Sequence, residues 1–122
     1  KMSKSLGNSV FAADLLASHR PAVVRYWLGS AHYRSTIDYT PGSLDEAQAA
    51  LERIEGFLAR AARRIAGTRF AEPDAEAPVA LPAEFAAAMD DDLAVPQALA
   101  VLHDRVRLGN AALDDDDAAA AA

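Results

Sequence analysis

Cysteine is absent from the 122 residues, which excludes disulfides and every zinc site built on thiolates. Aromatic residues are scarce at 7%, and alanine supplies much of the 52% hydrophobic content. That composition suits closely packed helices, for which alanine has the highest intrinsic propensity. No apolar run approaches the roughly 18–20 residues of a membrane span. Lys1–Asn8 has no apolar stretch behind its lysines, so it does not read as a secretory signal. What remains is a soluble, helix-rich chain expected in the cytoplasm, of a length that fits one domain or part of a larger one.

Charge is present but unevenly placed. The net charge is −6 and the isoelectric point about 4.9. Ten of the twelve Lys and Arg residues fall in positions 1–69, against six acids. Positions 70–122 hold two bases and twelve acids. Blocks of one sign speak about partners more than about fold. Two readings stand open: the basic half meets phosphate, or the two halves attract each other.

The periodicity predicts an all-α fold, a helical bundle preceded by a loop. Val10–Ser18 carries apolar residues enough for a short helix. Pro21 fits the first turn of a second, where its missing N–H costs nothing. Ser35–Gly42 breaks the pattern. Ser43 and Glu46 have capping-box spacing, and Leu44, Ala47, Leu51, Ile54, Leu58, Ala61 and Ile65 then draw one stripe along a long helix. Asp45 and Glu46 near its start and Arg60, Arg63 and Arg64 near its end complement the helix dipole. Gly67 stops it. Prolines 73, 78 and 82 read as a linker. Pro82–Met89 suits a short helix, and Pro96 to about Asn110 another. Asp114–Asp117 and the alanines after them are low in complexity, as if the chain were cut short.

The first five residues, Lys1-Met2-Ser3-Lys4-Ser5, read KMSKS, followed by Leu6-Gly7-Asn8. Two ammonium groups so close together suit the charge that develops on the phosphates of ATP during nucleophilic attack. Ser3, Ser5 and backbone N–H groups add neutral donors. KMSKS is the signature loop of class I aminoacyl-tRNA synthetases. The run RPAVVRYWL (20–28) resembles the helix after that loop. SAHYRS (30–35), MDDD (89–92), Pro96 and ALAVL (98–102) resemble stretches of cysteinyl-tRNA synthetases in the right order. The chain is therefore similar to a carboxy-terminal portion of that family. An opening at the loop itself is what cleavage in an exposed, lysine-bearing segment would leave.

The resemblance implies four parts: a catalytic loop (1–8), a helical region contacting the tRNA stem (9–69), a linker (70–82) and part of an anticodon-binding-type helical domain (83–122). It implies that Lys4 binds ATP with the help of Lys1, and that these two lysines are the catalytic residues. Ser3 and Ser5 would shape the ATP-binding loop. Arg53, Arg60 and Arg64, spaced by seven and four, would form a ridge facing tRNA phosphates, or else a solvated helix face. The implied partners are ATP with Mg, cysteine and tRNA-Cys, with no membrane; the implied reaction is activation of cysteine as an adenylate, then transfer to tRNA. The family's HIGH-type motif and its cysteine-held zinc have no counterpart here, so this chain alone is expected to be inactive and to bind neither metal nor cofactor by itself. Ala94 and Val95 depart from the Asn and Thr common in the family, which leaves Asp92 to cap the helix at Pro96. Asp90–Asp92 suggests a divalent metal less than a solvated boundary. His32 and Tyr33 read as packing residues or as neighbours of the active face, His19 and His103 as surface or capping residues, and Trp27 as core. Two alternatives remain: the related ligase that joins cysteine to glucosaminyl-inositol in mycothiol synthesis, and a non-catalytic tRNA-binding helical module.

Overall fold

The computed structural model describes residues 10–68 and 80–121. The KMSKS loop and most of the expected linker lie outside that range. Five helices follow one another: α1 (Ala12–Ser18), α2 (Pro21–Ser30), α3 (Ser43–Ile65), α4 (Ala83–Asp90) and α5 (Val95–Ala121). Among the described residues there is no strand, as the all-α expectation requires.

The core forms where α2 meets the start of α3. Val23, Val24, Leu44 and Ala47 are buried, and Leu15, Tyr26, Trp27 and Leu51 pack against them. Removing side chains the size of Val23, Val24 and Leu44 from water contributes roughly 1.5–3 kcal/mol each. Trp27 meets Tyr39 edge to face, centroids 5.7 Å apart, which folds the 31–42 connection back over α2. Outside the core, Arg20 grips Glu55 through two hydrogen bonds of 3.1 and 2.9 Å, tying the start of α2 to the middle of α3. That hydrogen bond, with the Glu55 charge, raises the Arg20 pKa.

Two details of α3 depart from the sequence reading. The capping box does not form: the helix begins after Gly42 without a side-chain cap. Ser43 Oγ instead accepts the Thr40 N–H at 3.0 Å and lies 2.9 Å from Thr40 Oγ1. Ser43 has already entered the helix as its first residue, so its hydroxyl reaches back over the preceding turn. The apolar stripe also drifts. Leu44 and Ala47 are buried, but Leu58 is 57% exposed, while Phe57 is half-buried and turns toward α5. Gly67 ends the helix with φ +76°, a conformation that costs a side-chain-bearing residue about 1 kcal/mol or more.

A further departure lies in α5. The expected stop near Asn110 is absent, and the helix continues through the aspartates into the alanines as far as Ala121. Alanine favours helix strongly, and Asp114 and Asp116 find cations on α3. Between α4 and α5, Asp92 and Leu93 both adopt left-handed φ values of 51° and 53°. The Ala94 N–H closes that turn on Ala88 O at 2.9 Å. Ala94, Ala98 and Val106 are buried where α5 packs.

Candidate functional site

The ridge expected to face phosphates lies on the α3 face beside α5. Arg60 donates through Nη1 to Asn110 Oδ1 at 3.0 Å and through Nη2 to Asp114 Oδ1 at 2.6 Å. Arg64 Nη2 donates to Asp116 Oδ2 at 3.3 Å. Arg53 sits one turn before Phe57 and faces Tyr26, whose pKa its charge lowers in part. Two of the three guanidiniums are thus held by carboxylates of the acidic half, so attraction between the two halves is realised in the fold. Arg53, Phe57, Arg63, His103, Arg107 and Asp114 line the open groove, of about 1010 Å³, that runs between the two helices. Arg63 and Arg107 were not part of the expected ridge. Their membership depends on the α3–α5 pairing, which no local spacing encodes.

Tyr26 and His103 join α2 to α5. The Tyr26 hydroxyl lies 2.8 Å from His103 Nε2, with the rings edge to face. Burial raises the Tyr26 pKa, and the charge of Arg53 offsets part of that rise. His103, read from sequence as a surface or capping residue, is a half-buried bridge instead. His19 Nε2 lies 3.4 Å from Asp45 Oδ1, an exposed contact between the end of α1 and the start of α3.

The densest polar cluster brings together two of the sequence motifs. Tyr33 Oη donates to Asp92 Oδ1 at 2.5 Å, and Arg34 Nη2 donates to the same oxygen at 3.2 Å. Arg34 Nε also donates to Tyr33 Oη at 2.8 Å. The Arg34 backbone N–H donates to His32 Nδ1 at 3.2 Å. Nδ1 is therefore the acceptor nitrogen, which leaves Nε2–H to donate to the Asp92 carbonyl at 3.0 Å. The His32 and Tyr33 rings stack, centroids 4.8 Å apart, and the Arg34 guanidinium lies 5.3 Å from the Tyr33 ring centre. Asp92 is thus not the cap of α5, since Ala98 N–H and Gln97 N–H both turn to Ala94 O. Its carboxylate faces the α2–α3 connection. The left-handed backbone at Asp92 and Leu93 costs on the order of 1–2 kcal/mol per residue, so the contacts around it hold a strained turn in place.

Lys1, Ser3, Lys4 and Ser5 lie outside the described residues. Among the described residues, no three His, Cys, Asp or Glu side chains come together as a metal site. Among the described residues Asp90–Asp92 forms no such group even with His32 beside Asp92, and a zinc held by cysteines cannot be built from this chain, which has none. No described helix is long and apolar enough to cross a membrane.

Comparison with known proteins matches two segments of the chain, with most of α3 between them. Residues 1–49 match the catalytic domain of class I (C) tRNA synthetases, and residues 84–122 match the DALR domain. A cysteine–tRNA ligase of Clavibacter sepedonicus is 74% identical over 120 residues, covering 96% of this chain and 25% of the relative. The Leifsonia xyli subsp. xyli (strain CTCB07) ligase is 69% identical over 122 residues, covering 100% and 25%. That of Streptomyces avermitilis is 53% identical over 121 residues, covering 99% and 25%. The chain spans about a quarter of the length of the curated relatives it matches.

Proposed function

We propose, from the premise that this chain belongs to the cysteinyl-tRNA synthetase family, that it is the part of a cysteine–tRNA ligase carrying the ATP-handling loop and the first helices of a tRNA-binding domain. One coincidence carries the reading: KMSKS stands inside the segment that matches a class I catalytic domain, and a DALR match follows in the same chain. The intact protein would join cysteine to ATP, releasing pyrophosphate, and then pass the cysteinyl group to the terminal ribose of tRNA-Cys in the cytoplasm. Lys4, assisted by Lys1, would offset the negative charge that builds on the phosphates as the cysteine carboxylate attacks. Ser3 and Ser5 would hold the loop by hydrogen bonds. Mg would accompany ATP. Residues 9–69 would support the catalytic domain and reach the tRNA stem, with 70–82 as the linker to a domain beginning near residue 83.

The DALR match favours tRNA as the acceptor over glucosaminyl-inositol, because a small amino sugar needs no helical domain of this kind. The arginine ridge on α3 would meet tRNA phosphates by exchanging Asp114 and Asp116 for the incoming anions. The test is transfer of labelled cysteine by the intact parent protein, with ATP, to tRNA and separately to glucosaminyl-inositol. Charging of tRNA is expected, and Lys4→Ala should slow cysteine-dependent ATP–pyrophosphate exchange by about 10²–10³. Transfer to the amino sugar alone would move the assignment to the mycothiol-pathway ligase. Salt-sensitive tRNA binding with neither transfer would leave a binding module.

A further inference from the structure

The cluster around Asp92 has no part in the chemistry just described, yet it joins the two segments that match different domains. His32, Tyr33 and Arg34 belong to the segment matching the catalytic domain, and Asp92 to the segment matching the DALR domain. The three consecutive residues converge on Asp92, two through its carboxylate Oδ1 and one through its carbonyl. Tyr33 is 60% exposed, and the Arg34 and Asp92 side chains are 68% and 44% exposed. Burial of apolar surface therefore explains little of this arrangement. Directional contacts explain it: the stacked rings fix the Tyr33 hydroxyl, the Arg34–Tyr33 bond fixes the guanidinium, and both point at one oxygen. The acceptor sits on two successive left-handed residues, a backbone that sets the carboxylate on the side of the α2–α3 connection.

Resting on the reading above, we propose that Asp92 is a positioning residue for transfer of cysteine to tRNA: it latches the DALR segment to the segment that carries the KMSKS loop and fixes their relative orientation. Adenylate formation needs only ATP and cysteine within the catalytic domain, and so does not depend on the latch. Transfer needs the end of a tRNA held partly by the other segment. A small rotation at the latch grows along a long ligand, and a misplacement of about 1 Å at a reacting centre costs up to about a hundredfold in rate.

Two variants separate the carboxylate from the turn. Asp92→Gly removes the carboxylate and relaxes the left-handed backbone, so it folds without the Tyr33 and Arg34 contacts and keeps only the His32 bond to the carbonyl. Asp92→Asn keeps a side-chain oxygen and a residue at ease in that backbone. In the intact enzyme, cysteine-dependent ATP–pyrophosphate exchange without tRNA is measured beside tRNA charging. Exchange should stay within about twofold of wild type in both variants, while kcat/KM for charging falls about tenfold or more in Asp92→Gly and less in Asp92→Asn. Arg34→Ala should move charging in the same direction, and adding it to Asp92→Gly should cost little more. Unchanged charging in Asp92→Gly overturns the proposal, as does a parallel fall of exchange and charging, which would mark a general structural role. A wild-type enzyme that exchanges but charges no tRNA would instead overturn the reading on which the proposal rests.

Discussion

Two glycines in helix interiors face opposite circumstances, and alanine at each should act in opposite directions. A Cβ at Gly56, in α3, meets nothing within 4 Å. Gly56→Ala therefore gains the helix propensity difference alone, about 0.8–1 kcal/mol. A Cβ at Gly109, in α5, would lie 2.6 Å from Phe57 Cζ and closer still to Cε2. Carbon atoms need roughly 3.5–4.0 Å, so the Phe57 ring must move by about an ångström or the helices must part. Overpacking of this kind costs about 1–3 kcal/mol, which outweighs the propensity gain for most of that range. The net loss at Gly109 should be up to about 2 kcal/mol, placing the two variants about 1–3 kcal/mol apart. Urea unfolding of each chain, followed by helical circular dichroism, reads the difference as opposite shifts of the midpoint at constant slope. Phe57→Leu, which shortens the blocking ring, should recover most of the loss at Gly109. If Gly109→Ala proves as stabilising as Gly56→Ala, α3 and α5 do not meet through Phe57 and the packing argument fails.

Other perturbations test separate parts of the account. Tyr26→Phe should cost about 1 kcal/mol at neutral pH through loss of the bond to His103. Because burial raises the Tyr26 pKa, its protonated form contributes stability that is fully present below the unfolded value near 10 and lost as pH rises through the higher folded value. Alkaline melts should therefore fall more steeply in wild type than in Tyr26→Phe, and equal slopes would contradict this. Asp114→Asn with Asp116→Asn should tighten tRNA binding by the intact protein about three- to tenfold at low salt, less at high salt. Filter binding that shows no gain would assign Arg60 and Arg64 to holding α5 alone. These pairs are exposed, so their loss should cost stability no more than about 1 kcal/mol.

What the sequence displays well is whatever repeats within a few turns of one helix. The Leu44–Leu51 face, the Pro21 start and the Gly67 stop are all local, and each stands in the structure where its spacing puts it. Ser43 does not cap α3 because the Thr40 backbone offers its hydroxyl a partner one turn earlier. The length of α5 is not legible in the sequence because Asp114 and Asp116 disfavour the end of an isolated helix. They are matched by Arg60 and Arg64, some fifty residues away. The Asp92 cluster and the Tyr26–His103 bridge unite residues 58–77 positions apart. The motifs marked SAHYRS and MDDD as noteworthy, but only the packed helices reveal that they touch.

The most direct test of the central claim is charging by the intact parent protein, supplied with labelled cysteine, ATP and either tRNA or glucosaminyl-inositol. The account predicts label on tRNA, lost upon Lys4→Ala together with ATP–pyrophosphate exchange. Label on the amino sugar alone, or charging that survives Lys4→Ala undiminished, would contradict it.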